Sequence, residues 1–396
     1  MNRSSVTAAI LASAMLTSST AFSQATRSEE IEQQKDEKAD HLQPQARELG
    51  DLLVTKLEQI FAPDPPSIRP TFGDFRPGAG FAVGVESNLP IGERGTWRTS
   101  TAWSVENFKQ IESVVDVPLF ATDRVHVRPF VTWNDAPELS FFGIGADSTL
   151  SGELGYGLRT TEVGADLDVR HPRWFEYGAG AGYLSAITND GTGSESPVSR
   201  VAANEVTGIG SSPAWWHTTT FAAIDTRHSP GYTDSGGLYS VRLHDYIDRE
   251  RTFDFTRTEI DLRQFVPILH DNWIVALQAR ADLTGTATGQ AIPFFMLPAI
   301  GGRDTLPGFT DYRFTDRDSL LMRSELRWTP SPLINMAVFL DQGTVAPSAG
   351  ALSFNDLKRG WGLGARFHGD TYTALRLEVA HSAEGWRYNI ARGVSF

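Results

Sequence analysis

His381 and Ser382 are the closest the sequence comes to a nucleophile beside a base, the arrangement hydrolysis would need. A lipolytic barrel enzyme using this pair is one reading. No Gly-x-Ser-x-Gly elbow, His-Glu-x-x-His pair or phosphate loop accompanies it. His126, His217, His244 and His368 fall on separate extended segments, none at metal-ligand spacing. With no cysteine in 396 residues, a thiol nucleophile, a cysteine zinc site and a disulfide framework are excluded. The expectation is therefore no catalytic residue, no metal and no cofactor. Charge is the richer signal. Arg124, Arg128, Arg280, Arg323, Arg327, Arg366 and Arg376 sit on the same strand faces as Glu112, Asp116, Glu325 and Glu378. Such rows either line an ion-selective pore or pair with one another inside a wet lumen, and mutual pairing is the simpler reading.

The elements that must carry these charges have a period of two. From about residue 78 onward, apolar and polar residues alternate between turn-forming stretches. Val125, Val127, Val131 and Trp133 oppose Arg124, His126 and Arg128, and Leu326 and Trp328 oppose Arg323, Glu325 and Arg327. Leu375, Leu377 and Val379 oppose Arg376 and Glu378. Alternation alone also fits a soluble sandwich. Two features favour a membrane barrel: segments of about 9 to 12 residues suit a tilted crossing, and tryptophans cluster at segment ends, as interfacial girdles require. Fifteen strands can be read directly, and a single-chain barrel calls for an even number. The missing one is either 67–75 or a split of 154–168. The predicted fold is all-β: a transmembrane antiparallel β-barrel of 16 strands, with 12 or 14 as alternatives, over residues 67–396. Segments 134–152, 187–213 and 343–357 read as surface connections.

The net charge of −13 argues against nucleic acid as a partner, since phosphate binding needs a concentrated basic face. No stretch after the N-terminus supplies the roughly 20 apolar residues of a spanning helix. Residues 1–23 read as a signal peptide, with Arg3 before the apolar run Ala8–Leu16 and a small-x-small site at Ala21–Ser23. Residues 24–66 form a polar periplasmic lead. Within it, Leu49, Leu53, Leu57 and Ile60 predict a short amphipathic helix over 44–61, ended by Pro63, Pro65 and Pro66. The predicted destination is the bacterial outer membrane, reached by export through the periplasm.

Gly301-Gly302-Arg303, Leu306-Pro307-Gly308-Phe309, the Phe339–Gly343 segment and the Gly362–Arg366 segment follow one another in an order that resembles the BamA/TamA superfamily of outer-membrane assembly and translocation barrels, the bacterial surface antigen family. Gly301, Gly302 and Arg303 are followed by the tetrad Leu306-Pro307-Gly308-Phe309 and then by Arg313, resembling the family's inward-folded loop. Phe339-Leu340-Asp341-Gln342-Gly343 resembles its Phe-x-Asp-x-Gly strand, and Gly362-Leu363-Gly364-Ala365-Arg366 its Gly-x-Gly-x-Arg strand. Phe141–Gly145 and Asp225-Thr226-Arg227 resemble further landmarks. Tyr388, Ile390, Val394 and Phe396 resemble the aromatic-ended C-terminal assembly signal, with all four on one strand face.

The resemblance implies that the loop 285–316 lies between the eleventh and twelfth strands and folds into the lumen toward wall residues Glu325, Arg327, Asp341 and Gly343. It implies a role in inserting, assembling or translocating proteins or lipid. A passive pore or surface-exposed barrel is the alternative. The implied partners are lipopolysaccharide and phospholipid, the barrel assembly machinery for the chain's own insertion, and protein substrates. Two departures stand out. Pro307 occupies the position of the family's loop arginine and can supply neither a cation nor an amide donor, so Arg303 or Arg313 is expected to serve Asp341 or Glu325 instead. Only about 40 to 50 residues would separate the signal peptide from the first strand, fewer than one periplasmic POTRA domain needs.

Overall fold

The computed structural model describes residues 67–396 apart from 74, 121–123, 194–205, 270–271, 332 and 370–372. The expected signal peptide 1–23, lead 24–66 and helix 44–61 lie outside the described residues. In chain order the strands are β1 (Ser67–Gly73), β2 (Ala82–Ile91), β3 (Gly95–Ser104), β4 (Lys109–Pro118), β5 (Val125–Phe141), β6 (Leu154–Arg170), β7 (Phe175–Asp190), β8 (Ala214–Asp225), β9 (Gly236–Asp248), β10 (Phe255–Ile268), β11 (Trp273–Gly285), β12 (Ala299–Ile300), β13 (Phe314–Thr315), β14 (Asp318–Ser331), β15 (Ile334–Ala346), β16 (Lys358–His368), β17 (Thr373–Ser382) and β18 (Gly385–Ala391). Sixteen of these form one antiparallel sheet, each paired with its chain neighbour, while β12 and β13 make a separate ribbon inside the β11–β14 connection. The strand missing from the direct reading is β1, and 154–168 stays whole within β6.

Burial decides between barrel and sandwich. On β15, Met336, Val338 and Leu340 are 46, 53 and 41% exposed, while the alternating Ala337, Phe339 and Asp341 are buried. On β14, Arg323, Glu325 and Arg327 are buried and Leu326 and Trp328 are exposed. Water around the sheet would reverse that pattern, whereas lipid outside and a polar lumen inside account for it. Trp273 and Trp328 stack at 5.7 Å, and Trp361 meets Trp386 edge-on at 5.5 Å, on the outer face near strand ends.

Both mouths of the lumen are obstructed. Where the longer connections lie, Phe141, Tyr156, Trp215, Tyr246, Phe255 and Phe294 belong to one apolar core. At the opposite mouth the β8–β9 connection reaches β14, β16 and β17: Tyr232 stacks on His368 at 3.7 Å, Thr373 donates to the Gly231 carbonyl, and Arg327 donates to the Thr233 carbonyl. Its start is shaped by Asp225, whose carboxylate accepts from the Arg227 amide and guanidinium.

The sheet is open at one seam. Among the described residues no ladder joins β18 to β1. Arg392 reaches over and donates to the Phe72 carbonyl at 3.1 Å. Pro70, within β1, has no N–H to give to a ladder.

Candidate functional site

The β11–β14 connection enters the lumen, and its tip folds first on itself. The Gly301 amide donates to Thr305 Oγ1, the Gly302 amide to the Phe309 carbonyl, and the Phe309 amide to the Leu306 carbonyl. Gly301 has φ +129°, and a Cβ there would lie 2.4 Å from the Thr310 carbonyl oxygen, so glycine is required. Ile300, Leu306, Phe309 and Phe314 then pack with Leu321 of β14 and Val345 of β15. Gly343 of β15 leaves the room that Ile300 fills.

Polar contacts fasten the tip to the last hairpin. Ser382 Oγ donates to the Gly308 carbonyl at 2.6 Å, and Asn389 donates to the Pro307 carbonyl at 3.1 Å. Arg387 donates to Thr310 Oγ1. Gly308 sits so close that a Cβ would lie 3.0 Å from the Ser382 Cβ. Pro307 therefore contributes through its carbonyl, a capacity that its lack of a cation and an amide leaves intact.

Arg313 ties the loop to two other places. It pairs with Glu384 in the β17–β18 turn, donates to Ser148 Oγ and to the Ser148 carbonyl, and lies over Phe142 and Phe314. The Phe141–Gly145 segment meets the loop again where the Gly145 amide donates to the Thr315 carbonyl. Removing one member of a buried ion pair costs about 3–5 kcal/mol, or a factor on the order of a hundred or more in an open population. Arg313→Ala is thus expected to speed tryptic cleavage after Arg303 or Arg317 by about that factor; equal cleavage rates would remove the anchoring role.

The wall network differs from the sequence expectation. Asp341 pairs with Arg323 at 3.0 Å. Glu325 accepts from Arg327 at 2.7 Å, from Arg366 at 2.8 Å and from Ser395 Oγ at 2.6 Å. Wall arginines neutralise wall carboxylates, and Arg313 serves Glu384. Across the loop–wall boundary the charges run the other way, because the loop's Asp304, which also meets Arg303, lies 3.6 Å from Arg376 of β17. Arg376 pairs with Glu378 as well, at 3.3 Å. Elsewhere Arg128 pairs with Asp168, Arg280 with Asp282 and His126 with Asp116. Mutual pairing is the arrangement these inward charges adopt.

The chain end is a second difference. Tyr388 and Ile390 face outward and are highly exposed, but Phe396 does not share their face. Gly393, at φ +76°, turns the chain inward, and its amide donates to the Thr373 carbonyl. Beyond Val394, the Ser395 carbonyl accepts from Arg323 at 2.8 Å. Phe396 is buried 6.0 Å from Phe265, beneath the guanidinium groups of Arg323 and Arg327.

His381 and Ser382 point to opposite faces, as strand neighbours must. His381 lies between Trp361 and Trp386 on the outside, and Ser382 is buried against the loop. The two do not form a nucleophile–base pair. Ser148, Glu384, Arg387 and Ser395 escaped the sequence reading, since none stands in a motif and each acts through a partner distant in the chain.

No family model and no curated protein matches the sequence. Solved structures match in fold. BamA from Haemophilus ducreyi lacking POTRA domains 1-3 aligns with a TM-score of 0.62 at 12% identity, over 82% of this chain and 70% of that one. CdiB from Escherichia coli gives 0.55 at 12% identity, over 83% and 62%. CdiB from Acinetobacter baumannii gives 0.51 at 11%, over 83% and 59%, so this chain spans less than two thirds of either CdiB. By fold, the chain is a sixteen-stranded β-barrel of the BamA and CdiB type.

Proposed function

We propose that this chain is an outer-membrane barrel of the BamA/TamA superfamily that takes part in insertion, assembly or translocation of proteins or lipid. The observation that carries this reading is the seam. Among the described residues the outer edge of β1 has no ladder partner, and such an edge is a template on which an incoming strand can pair. The inward loop is fastened to β17 and β18, beside that seam, so movement of the last hairpin and of the loop are coupled. Obstruction of both mouths weighs against a passive pore. The separation of His381 from Ser382 supports a non-enzymatic reading. The partners in this reading are lipopolysaccharide and phospholipid around the wall, protein substrates at the seam and the assembly machinery that inserts the chain itself after export.

The test is site-specific photo-crosslinking in growing cells. A photoreactive residue at Thr71 should capture unfolded outer-membrane proteins, and one at Val241 on the far outer wall should not. Absence of adducts at Thr71, or equal adducts at both positions, would overturn the reading.

A further inference from the structure

An apolar groove of about 720 Å³ runs along the outer face of the seam. Phe72 and Phe81 line it from the β1–β2 side, and Leu375 and Ile390 line it from the last two strands. Strands joined by a ladder lie about 4.8 Å apart and leave no such gap between them. This one exists because, among the described residues, no ladder joins β18 to β1. Its volume is in the range of ligand sites, about 300 to 1,000 Å³.

Arg392 is the charged member of this lining. It follows β18 on the same outward face as Tyr388 and Ile390 and is itself exposed. Its stem crosses Gly73, where a Cβ would come within 2.7 Å of Arg392 Cδ, and its Nη1 donates to the Phe72 carbonyl at 3.1 Å. The next residue is fixed too, since the Gly393 amide donates to the carbonyl of Thr373 at the start of β17. The guanidinium therefore stands at the end of the groove nearer the short connections.

In a bilayer, apolar contact alone selects nothing, because acyl chains surround the whole wall and are as apolar as the side chains they touch. The cation selects. A charge on the outer face of a barrel wall is costly where hydrocarbon surrounds it, and the anion a bilayer offers is a lipid phosphate. A guanidinium presents five N–H donors in a fork that fits phosphate oxygens, and the bond to Phe72 uses one of them.

We propose that this groove holds one phospholipid, its phosphate on Arg392 and an acyl chain between Phe72 and Phe81 on one side and Leu375 and Ile390 on the other. In barrels of this kind the short connections face the periplasm, so the lipid comes from the periplasmic leaflet, which is phospholipid. Lipopolysaccharide carries its phosphates at the opposite surface. The bound lipid fills the gap that the two unjoined edges leave. This site rests on the outer-membrane setting and the shape of the seam, and it stands whether or not protein strands pair at β1.

The test is native mass spectrometry of the purified full chain in mild detergent, incubated in parallel with phosphatidylglycerol, with diacylglycerol and with lipopolysaccharide, and scored on the heat-modifiable, folded fraction. The native chain should retain one phosphatidylglycerol per barrel and about tenfold less diacylglycerol, which has the same tails without the phosphate. Arg392→Gln should lose that preference. Leu375→Trp, which fills the groove and leaves Arg392 in place, should retain neither lipid, and Val241→Trp on the far outer wall should behave as the native chain does. Equal retention of phosphatidylglycerol and diacylglycerol by the native chain, or an undiminished preference in folded Arg392→Gln, overturns the site. Stronger retention of lipopolysaccharide than of phosphatidylglycerol, or a second copy of the chain in place of lipid, overturns it as well.

Discussion

Replacing Glu325 with alanine is expected to destabilise the barrel by about 3–5 kcal/mol, because it leaves buried guanidinium charge without its carboxylate. Glu325 is 2% exposed and accepts three hydrogen bonds, from Arg327, Arg366 and Ser395. Among the described residues Glu378, at 3.7 Å, is the one carboxylate Arg366 keeps, beside the neutral acceptors Asn335 Oδ1 and Ser395 Oγ. Arg327 keeps the Thr233 carbonyl at the lower mouth. The measurement is the urea midpoint of the heat-modifiable form, with Ser324→Ala as the neighbouring control, since Ser324 faces outward. Losing Glu325 also removes the acceptor for Ser395, so carboxypeptidase should trim the chain end in the variant and spare it in the native protein. A midpoint matching that of Ser324→Ala would show that the network adds nothing to stability.

Replacing residues 286–317 by a short Gly-Ser link between β11 and β14 is expected to raise single-channel conductance in planar bilayers several-fold, toward that of an open sixteen-stranded porin. The loop supplies Ile300, Leu306, Phe309 and Phe314 against the wall and Phe294 to the core at the longer-loop end. The native chain should conduct weakly, because both the loop and the β8–β9 connection stand in the path. If the native chain already conducts like a porin and the deletion changes nothing, a passive pore becomes the better reading.

The wall was legible in sequence because its information is local. A period of two on Arg323-Ser324-Glu325-Leu326-Arg327 fixes which side chains face inward without knowledge of any distant residue. The number of strands also followed, once parity required an element as short as β1. What the loop touches was not legible: Arg313 finds Glu384 and Ser148, 71 and 165 residues away. Pro307 was legible as the loss of a cation, but its carbonyl role depends on where Asn389 ends up. The chain end misled because face parity extends only as far as the strand does, and a single left-handed residue, Gly393, ends the alternation that would have put Phe396 among the lipids.

The unequal strand lengths bear on the bilayer itself. β18 has 7 residues, whereas β5 and β6 have 17 each. At about 3.3 Å per residue and a tilt of about 40°, the wall is roughly 18 Å high at β18 and roughly 43 Å high at β5 and β6. Hydrocarbon about 30 Å thick is overtopped by β5 and β6, whose ends stand beyond it, but is not spanned by β18. Beside the short side the acyl chains must splay or shorten, at a fraction of a kcal/mol per Å of mismatch, so the membrane is thinnest where the barrel is least closed.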